Sequence, residues 1–188
     1  MEPTKKKVIA ICSNGHGAGK TTLAEFIQDY YYKATGKDAH MLSFVNCLKG
    51  AASSLIDYNA VWDEKDKPLE ELGGKTPRDL LIFLGEGIKR EFNPKFFAEK
   101  AIEEIEETTY PLYIIDDLRF PVELDALYDQ YGADCIPIYI HTPAAKECEC
   151  EGLIDPFQAV WETYNTGTLG DLYDEAADIV EKMVLHNE

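Results

Sequence analysis

The feature that most narrows what this chain can fold into is a short junction near its start. Val8–Cys12 is a nearly all-apolar run that passes directly into Ser13-Asn14-Gly15-His16-Gly17-Ala18-Gly19-Lys20-Thr21-Thr22. Beyond the glycines, Leu23, Phe26, Ile27, Tyr30 and Tyr31 recur at i, i+3, i+4, i+7 and i+8, one face of a helix. Gly36 stands where a C-terminal cap is expected. A strand buried on both faces, a glycine-rich turn and an amphipathic helix together form the opening unit of an α/β fold.

The rest of the chain keeps that alternation. Strands are expected at Ala39–Phe44, Tyr110–Asp116, Cys135–His141 and Val160–Tyr164. Helices are expected near Leu48–Tyr58, from Pro77 to the Asn93-Pro94 stop, over 95–107, from Pro121 to Gly132, and over Leu169–Leu185. Thr76-Pro77 is a strong helix start, with a side-chain cap followed by a residue that loses nothing at the first helical position. Residues 59–75 read as a polar, mobile loop. Strands spaced by helices imply a three-layer α/β fold, a parallel sheet with right-handed crossovers and helices on both faces, whose ligands bind beyond the C-terminal strand ends.

Length and composition limit the classes. A chain of 188 residues fits one domain, and 45% hydrophobic with 28% charged residues is an ordinary globular mix. No apolar stretch reaches the roughly 18 residues of a membrane span, and the start meets glycines too early for a secretory signal. Five scattered cysteines fit a reducing interior, hence the cytoplasm. The net charge is −17, and residues 120–188 hold 15 acids against two cations, Lys146 and Lys182. Such a body repels phosphate backbones and anionic lipid, which argues against broad nucleic-acid binding. Only three arginines, Arg78, Arg90 and Arg119, are available to gather a small anion.

The glycine junction matches the phosphate-loop pattern G-x-x-x-x-G-K-[ST] at Gly19, Lys20 and Thr21, with Asn14 at the opening glycine position. Asn tolerates positive φ, which makes the exchange mild. Backbone N–H groups from Asn14 through Gly15, His16, Gly17, Ala18 and Gly19 to Thr22 would line a triphosphate site at a helix N-terminus. Lys20 would reach the β and γ phosphates and Thr21 would ligate Mg²⁺. The run Ile114-Ile115-Asp116-Asp117-Leu118-Arg119-Phe120-Pro121 is the second signal: acids at a strand end can hold the metal shell or take a proton, and Arg119 can clamp a phosphate.

That second run, read as DLRFPVEL, resembles the D-x-R-F-P-x-E segment of bacteriophage deoxynucleoside monophosphate kinases. Lys75-Thr76-Pro77-Arg78 with the Leu80–Gly85 stretch is similar to that family's T-P-R…L-x-x-L-G helix. Leu48-Lys49 resembles its Leu-Lys pair, and Asn165-Thr166-Gly167-Thr168-Leu169 its closing N-x-G-[ST]-L turn. The resemblance implies the nucleoside-monophosphate-kinase fold over 1–188, with an acceptor-binding flap at about 48–107 and a lid-like loop at about 142–157. It implies transfer of the ATP γ-phosphoryl group to a deoxynucleoside 5′-monophosphate, with ATP and Mg²⁺ as co-substrate and cofactor. Lys20, Asp117 and Arg119 would be catalytic, and Thr21, Asp116 and Asp117 would stand at the metal. Lys49, Arg78, Arg119 and Glu123 would bind the acceptor, and Asn165 and Gly167 would approach the adenine. Phage origin would put the protein in the host cytoplasm, and whether it forms a homodimer is left open.

The chain departs from the family at Asn14, at Phe96-Phe97 where an aromatic with Trp is common, and in 142–157, where Lys146 stands alone among acids. Two rivals follow: a kinase for a modified base or other small acceptor, including a hydroxymethylated base in DNA, and a catalytically silent nucleotide-binding module. Among smaller signals, Cys148-Glu149-Cys150 with His141 lacks the spacing and ligand count of structural zinc. Cys12, Cys47 and Cys135 read as core or near-core, and Lys5-Lys6-Lys7 as a solvated flank.

Overall fold

The apolar runs become one parallel sheet in the computed structural model, which describes residues 6–143, 145–146 and 153–186. Its strands are β1 (Lys7–Ser13), β2 (Ala39–Leu42), β3 (Leu112–Ile115), β4 (Cys135–His141) and β5 (Trp161–Tyr164), in the order β2-β3-β1-β4-β5. All seven residues of β1 are buried, as are all four of β3, because each lies inside the sheet with both faces covered. The α/β expectation, a parallel sheet with helices on both faces, is met.

The chain divides into two compact units, Met1–Ser43 with Ala101–Glu188, and Phe44–Lys100. In the first, helices α1 (Lys20–Thr35) and α7 (Leu169–Ile179) cover one face of the sheet. Leu23, Ile27 and Tyr31 of α1 and Leu172, Ala176 and Ile179 of α7 join Ile9, Ile11, Ile114, Ile138 and Ile140 in one core, with Phe26 and Tyr30 packed at its margin. Helix α6 (Pro121–Tyr131) packs against β1 and β4. Gly36 closes α1 at φ 68°, donating its N–H to the Tyr32 carbonyl, as its position predicts. The last helix differs in its winding: after Ile179 the residues Val180–Leu185 form a π-helical turn.

The second unit holds α2 (Asn46–Ala52), α3 (Tyr58–Trp62) and α4 (Pro77–Glu91), and α5 (Phe96–Glu107) begins in it. The single helix expected over Leu48–Tyr58 is thus two. Ser53 Oγ, which accepts from Trp62 Nε1, bonds the Lys49 carbonyl at 2.8 Å, and Asp57 caps α3 by accepting from the Ala60 N–H. Such side chains compete with the helix ladder and favour ends over interiors. The span 59–75 is also more structured than a polar loop. Val61, Trp62, Leu69 and Leu72 pack with Ala52, Ile56, Leu80 and Leu81, and Glu70–Leu72 forms a 3₁₀ turn. The Thr76 cap behaves as its sequence requires. Thr76 Oγ1 accepts from the Asp79 N–H, Asp79 Oδ2 accepts from the Thr76 N–H at 2.8 Å, and this bonding lowers the Asp79 pKa.

Two minor expectations are corrected. Lys7 is buried and its ammonium donates to the Val184 carbonyl, while Lys6 Nζ donates to the Ile105 carbonyl at 2.6 Å, so these two staple β1 to its surroundings instead of forming a solvated flank, and Lys5 lies outside the described residues. Cys47 is exposed at the start of α2, whereas Cys12 and Cys135 are buried as expected. No helix among the described residues is long and apolar enough to cross a membrane.

Two outcomes test this packing. Leu23 is wholly enclosed, so Leu23→Ala is expected to cost about 2–5 kcal/mol, read from urea unfolding by circular dichroism. Burial pushes the Cys135 thiol up to about 12, and only the thiolate attacks alkylating agents. Iodoacetamide at pH 8 should therefore modify Cys47 and spare Cys135 in the native protein, as peptide mapping would establish. Equal labelling of both would contradict the buried position of β4.

Candidate functional site

The site is built where β1 ends. Between Ser13 and the first residue of α1, Gly17 and Gly19 adopt φ of 80° and 96°, a left-handed backbone that only glycine enters without strain. Gly19 is the N-cap of α1, so no side chain caps the first turn, and no acid stands in it. The N-cap position therefore supplies no side-chain acceptor of the kind that usually takes the leading N–H groups of a helix. Lys20, the first helical residue, is only 8% exposed: its Nζ turns back to Ser13 Oγ at 3.0 Å, and Ser13 Oγ donates to the Gly15 carbonyl at 2.9 Å. The lysine is held at the loop, where it can be exchanged from a neutral hydroxyl onto an anion.

Asn14 is tolerated for a reason the sequence does not reveal. Every positive-φ residue among those described is a glycine, so Asn14 needs no special backbone conformation. Its amide instead grips a neighbouring segment. Nδ2 donates to the Thr142 carbonyl at 2.9 Å, and the Thr142 N–H donates to Oδ1 at 3.1 Å. His16 is exposed and meets Lys146 in a two-residue antiparallel bridge. Ala18 is buried and Thr22 half-buried at the root of the loop.

The acidic strand end comes beside this loop because β3 pairs in parallel with β1, Ile115 opposite Ala10. The next residue, Asp116, accepts a hydrogen bond from Thr21 Oγ1 at Oδ2, 2.6 Å away. Asp117 is buried and accepts from Ser43 Oγ at 2.5 Å. Glu123 is buried too, and its Oε2 accepts from the backbone N–H groups of Arg119 and Phe120, both at 3.1 Å. It caps α6 and fixes the backbone from which the Arg119 side chain leaves. Ser13, Ser43 and Thr142 belong to this constellation and escape sequence reasoning, since a lone hydroxyl at a strand end carries no pattern.

The hydroxyl of Thr21 and the carboxylate of Asp116 form a pair of hard oxygen donors. That pair suits Mg²⁺, which binds through one or two protein oxygens and completes its octahedron with water and phosphate. Among the described residues no cluster of three or more His, Cys, Asp or Glu side chains could hold a metal by itself. Cys148 and Cys150 lie outside the described residues. His141 faces Glu162 Oε2 at 2.7 Å and stacks on Tyr164.

The remaining candidates lie on other segments of the chain. Asn165 Nδ2 donates to the Ala18 carbonyl at 3.0 Å, tying the segment after β5 to the loop, and a Cβ on Gly19 would come within 2.7 Å of that nitrogen. Gly167 leaves room for Asp171, whose carboxylate caps α7 by accepting from the Thr168 N–H at 2.6 Å. In the second unit, the Lys49 ammonium lies 4.8 Å from the centre of the Trp62 ring. Arg78 makes a bidentate pair with Asp66, through Nε at 2.5 Å and Nη2 at 3.1 Å. Phe96 and Phe97 meet edge to face, ring centres 5.4 Å apart.

No family model matches the sequence, and no curated protein matches it. Solved structures do match the fold. The APS kinase of Mycobacterium tuberculosis in complex with AMPPNP and APS aligns over 96% of this chain and 100% of its own, with a TM-score of 0.53 at 14% identity. A mutant of that enzyme gives a TM-score of 0.54 at 13% identity over the same shares. A gluconokinase from Sinorhizobium meliloti 1021 aligns over 99% of this chain and 97% of its own, with a TM-score of 0.53 at 13% identity. Identities this low speak to architecture alone: the chain shares the fold of an APS kinase and of a gluconokinase.

Proposed function

We propose that the chain is a Mg²⁺-dependent phosphotransferase that moves the γ-phosphoryl group of ATP to a deoxynucleoside 5′-monophosphate, giving ADP and the diphosphate. The observation that carries this reading is the contact of Thr21 Oγ1 with Asp116 Oδ2, residues 95 apart in sequence, beside a glycine loop whose lysine is folded inward. A connection that merely joined a strand to a helix has no use for that combination. The fold shared with an APS kinase solved with AMPPNP agrees with ATP as donor. The acceptor is assigned on the D-x-R-F-P-x-E and T-P-R resemblance, which gives Arg119, Lys49 and Arg78 to its monophosphate.

In this reading the backbone N–H groups from Gly17 to Thr21 take the donor phosphates, and Lys20 exchanges Ser13 for a phosphate oxygen. Thr21 and Asp116 would hold Mg²⁺, which when bound would supply neutralisation of phosphate charge. An oxygen of the acceptor monophosphate attacks the γ phosphorus, the bond from that phosphorus to the β–γ bridging oxygen breaks, and ADP leaves. The second pKa of a phosphate monoester is about 6, so the attacking oxygen is already ionised at neutral pH. Asp117 is therefore not needed as a base. Its tie to Ser43 suits it to positioning, just as the hold of Glu123 on the Arg119 backbone suits that arginine to a fixed approach.

The decisive assay is coupled ADP release across the four dNMPs and modified pyrimidine dNMPs. At least one is expected to accelerate release, and Lys20→Ala to reduce that rate by about 10³-fold or more. A flat response to every dNMP would remove the acceptor assignment, and full activity in Lys20→Ala would remove ATP as donor. Asp116→Asn is expected to raise the Mg²⁺ concentration for half-maximal rate by about tenfold, since it weakens one of two protein oxygens on a hard cation. An unchanged Mg²⁺ titration would separate Asp116 from the metal.

A further inference from the structure

The phosphate loop has two halves with different surroundings. Gly17 has open space where a Cβ would stand, whereas a Cβ on Gly15 would come within 2.6 Å of the Lys146 carbonyl oxygen and 3.0 Å of Ala145 Cβ. On either side of Gly15 the loop is stitched to the same stretch. Asn14 holds both backbone groups of Thr142, and His16 exchanges two backbone hydrogen bonds with Lys146, at 2.9 and 3.0 Å. Four hydrogen bonds and one steric gap thus commit residues 14–16 to a neighbouring piece of the chain, not to a ligand.

We infer that this stitching delivers Lys146 to the phosphate site, where its ammonium binds the terminal phosphate of the nucleoside triphosphate, with Asn14 as its positioning residue. The inference rests on the phosphate-loop reading above. From residue 120 onward the sequence has two cations. Lys182 pairs with Asp178 at 2.5 Å beyond the end of α7, whereas Lys146 is bridged directly to the loop at His16. Lys146 is exposed, and its backbone makes the contacts with His16, so its flexible four-carbon stem can be turned to a ligand. Its anchor is one residue from Gly17, where the open half of the loop begins. A compact ammonium with three donors suits the spread oxygens of a terminal phosphoryl group. Only a triphosphate gains from it, because the α and β phosphates lie deeper, over the N-terminus of α1.

The test compares Lys146→Met, Lys146→Arg, Asn14→Ala and the Asn14→Ala/Lys146→Met double variant by calorimetric binding of Mg·ATP and Mg·ADP, by ADP-release kinetics and by thermal unfolding. Lys146→Met should weaken ATP by roughly tenfold, the scale of one charge-assisted hydrogen bond, and change ADP by less than about twofold. Its kcat should fall by about 10–10²-fold, and Lys146→Arg should restore most of the loss. Asn14→Ala should reproduce the selective loss of ATP affinity, and adding it to Lys146→Met should cost nothing more, since both remove one interaction. An ATP-to-ADP preference equal to wild type in Lys146→Met overturns the inference. Additive losses in the double variant overturn the part assigned to Asn14. If wild type binds ATP but phosphorylates no dNMP, only the acceptor assignment falls and the ATP-to-ADP ratio still decides; if folded wild type binds neither nucleotide, both readings fall.

Discussion

Everything at the site depends on β1 being hydrogen-bonded along both edges by parallel neighbours. Ile115, the last residue of β3, lies opposite Ala10, three residues before β1 ends, and Ile140 of β4 lies opposite Ser13. The three strands thus run in one direction and finish within one turn of chain of each other. In a parallel sheet the connections that leave such ends all emerge on one side. The glycine loop after β1, the acids after β3 and the Thr142 segment after β4 are therefore adjacent by construction. Interchanging β3 with another strand would keep the core hydrophobic and still take Asp116 away from Thr21.

A protein with a net charge of −17 can attract a phosphate only locally. Several of its cations serve local surface pairs three or four residues apart: Lys33 with Asp29, Lys89 with Glu86 and Lys182 with Asp178 on helical segments, and Lys67 with Glu64 in the turn after α3. Exposed pairs of this kind contribute little to stability, and their charge is screened within about 10 Å at 0.1 M salt. At the loop any attraction for an anion comes instead from backbone N–H groups and the buried Lys20, which require no long-range field. The acidic exterior disfavours polyanions such as nucleic acid without opposing the short phosphate site proposed for the loop.

What the sequence discloses follows the physics of each feature. Strands enclosed on both faces must be apolar throughout, so β1 and β4 can be read to within a residue. Helix starts with Thr76-Pro77 or Phe120-Pro121 are equally plain, because caps and proline act over three or four residues. Pairings across the fold are not readable: Asn14 and Thr142 are 128 residues apart, and Ser43 and Asp117 are 74 apart. Nothing local in either partner specifies the other. The split between α2 and α3 was hidden for a related reason, since it turns on Ser53 and Asp57 bonding to groups within the segment instead of on any break in apolar content.

The phosphate-loop pattern also compresses unlike constraints into single letters. Gly17 and Gly19 are glycines because their backbones are left-handed; Gly15 is one because the Lys146 carbonyl oxygen occupies the place of its side chain. The opening position carries neither constraint. With an ordinary backbone and an amide that completes two hydrogen bonds, Asn14 adds what a glycine would lack. Substitution at a motif position therefore weakens the motif only when it violates the particular constraint acting there. At the opening of this loop the constraint is a neighbouring strand end, and asparagine satisfies it better than the residue it replaces.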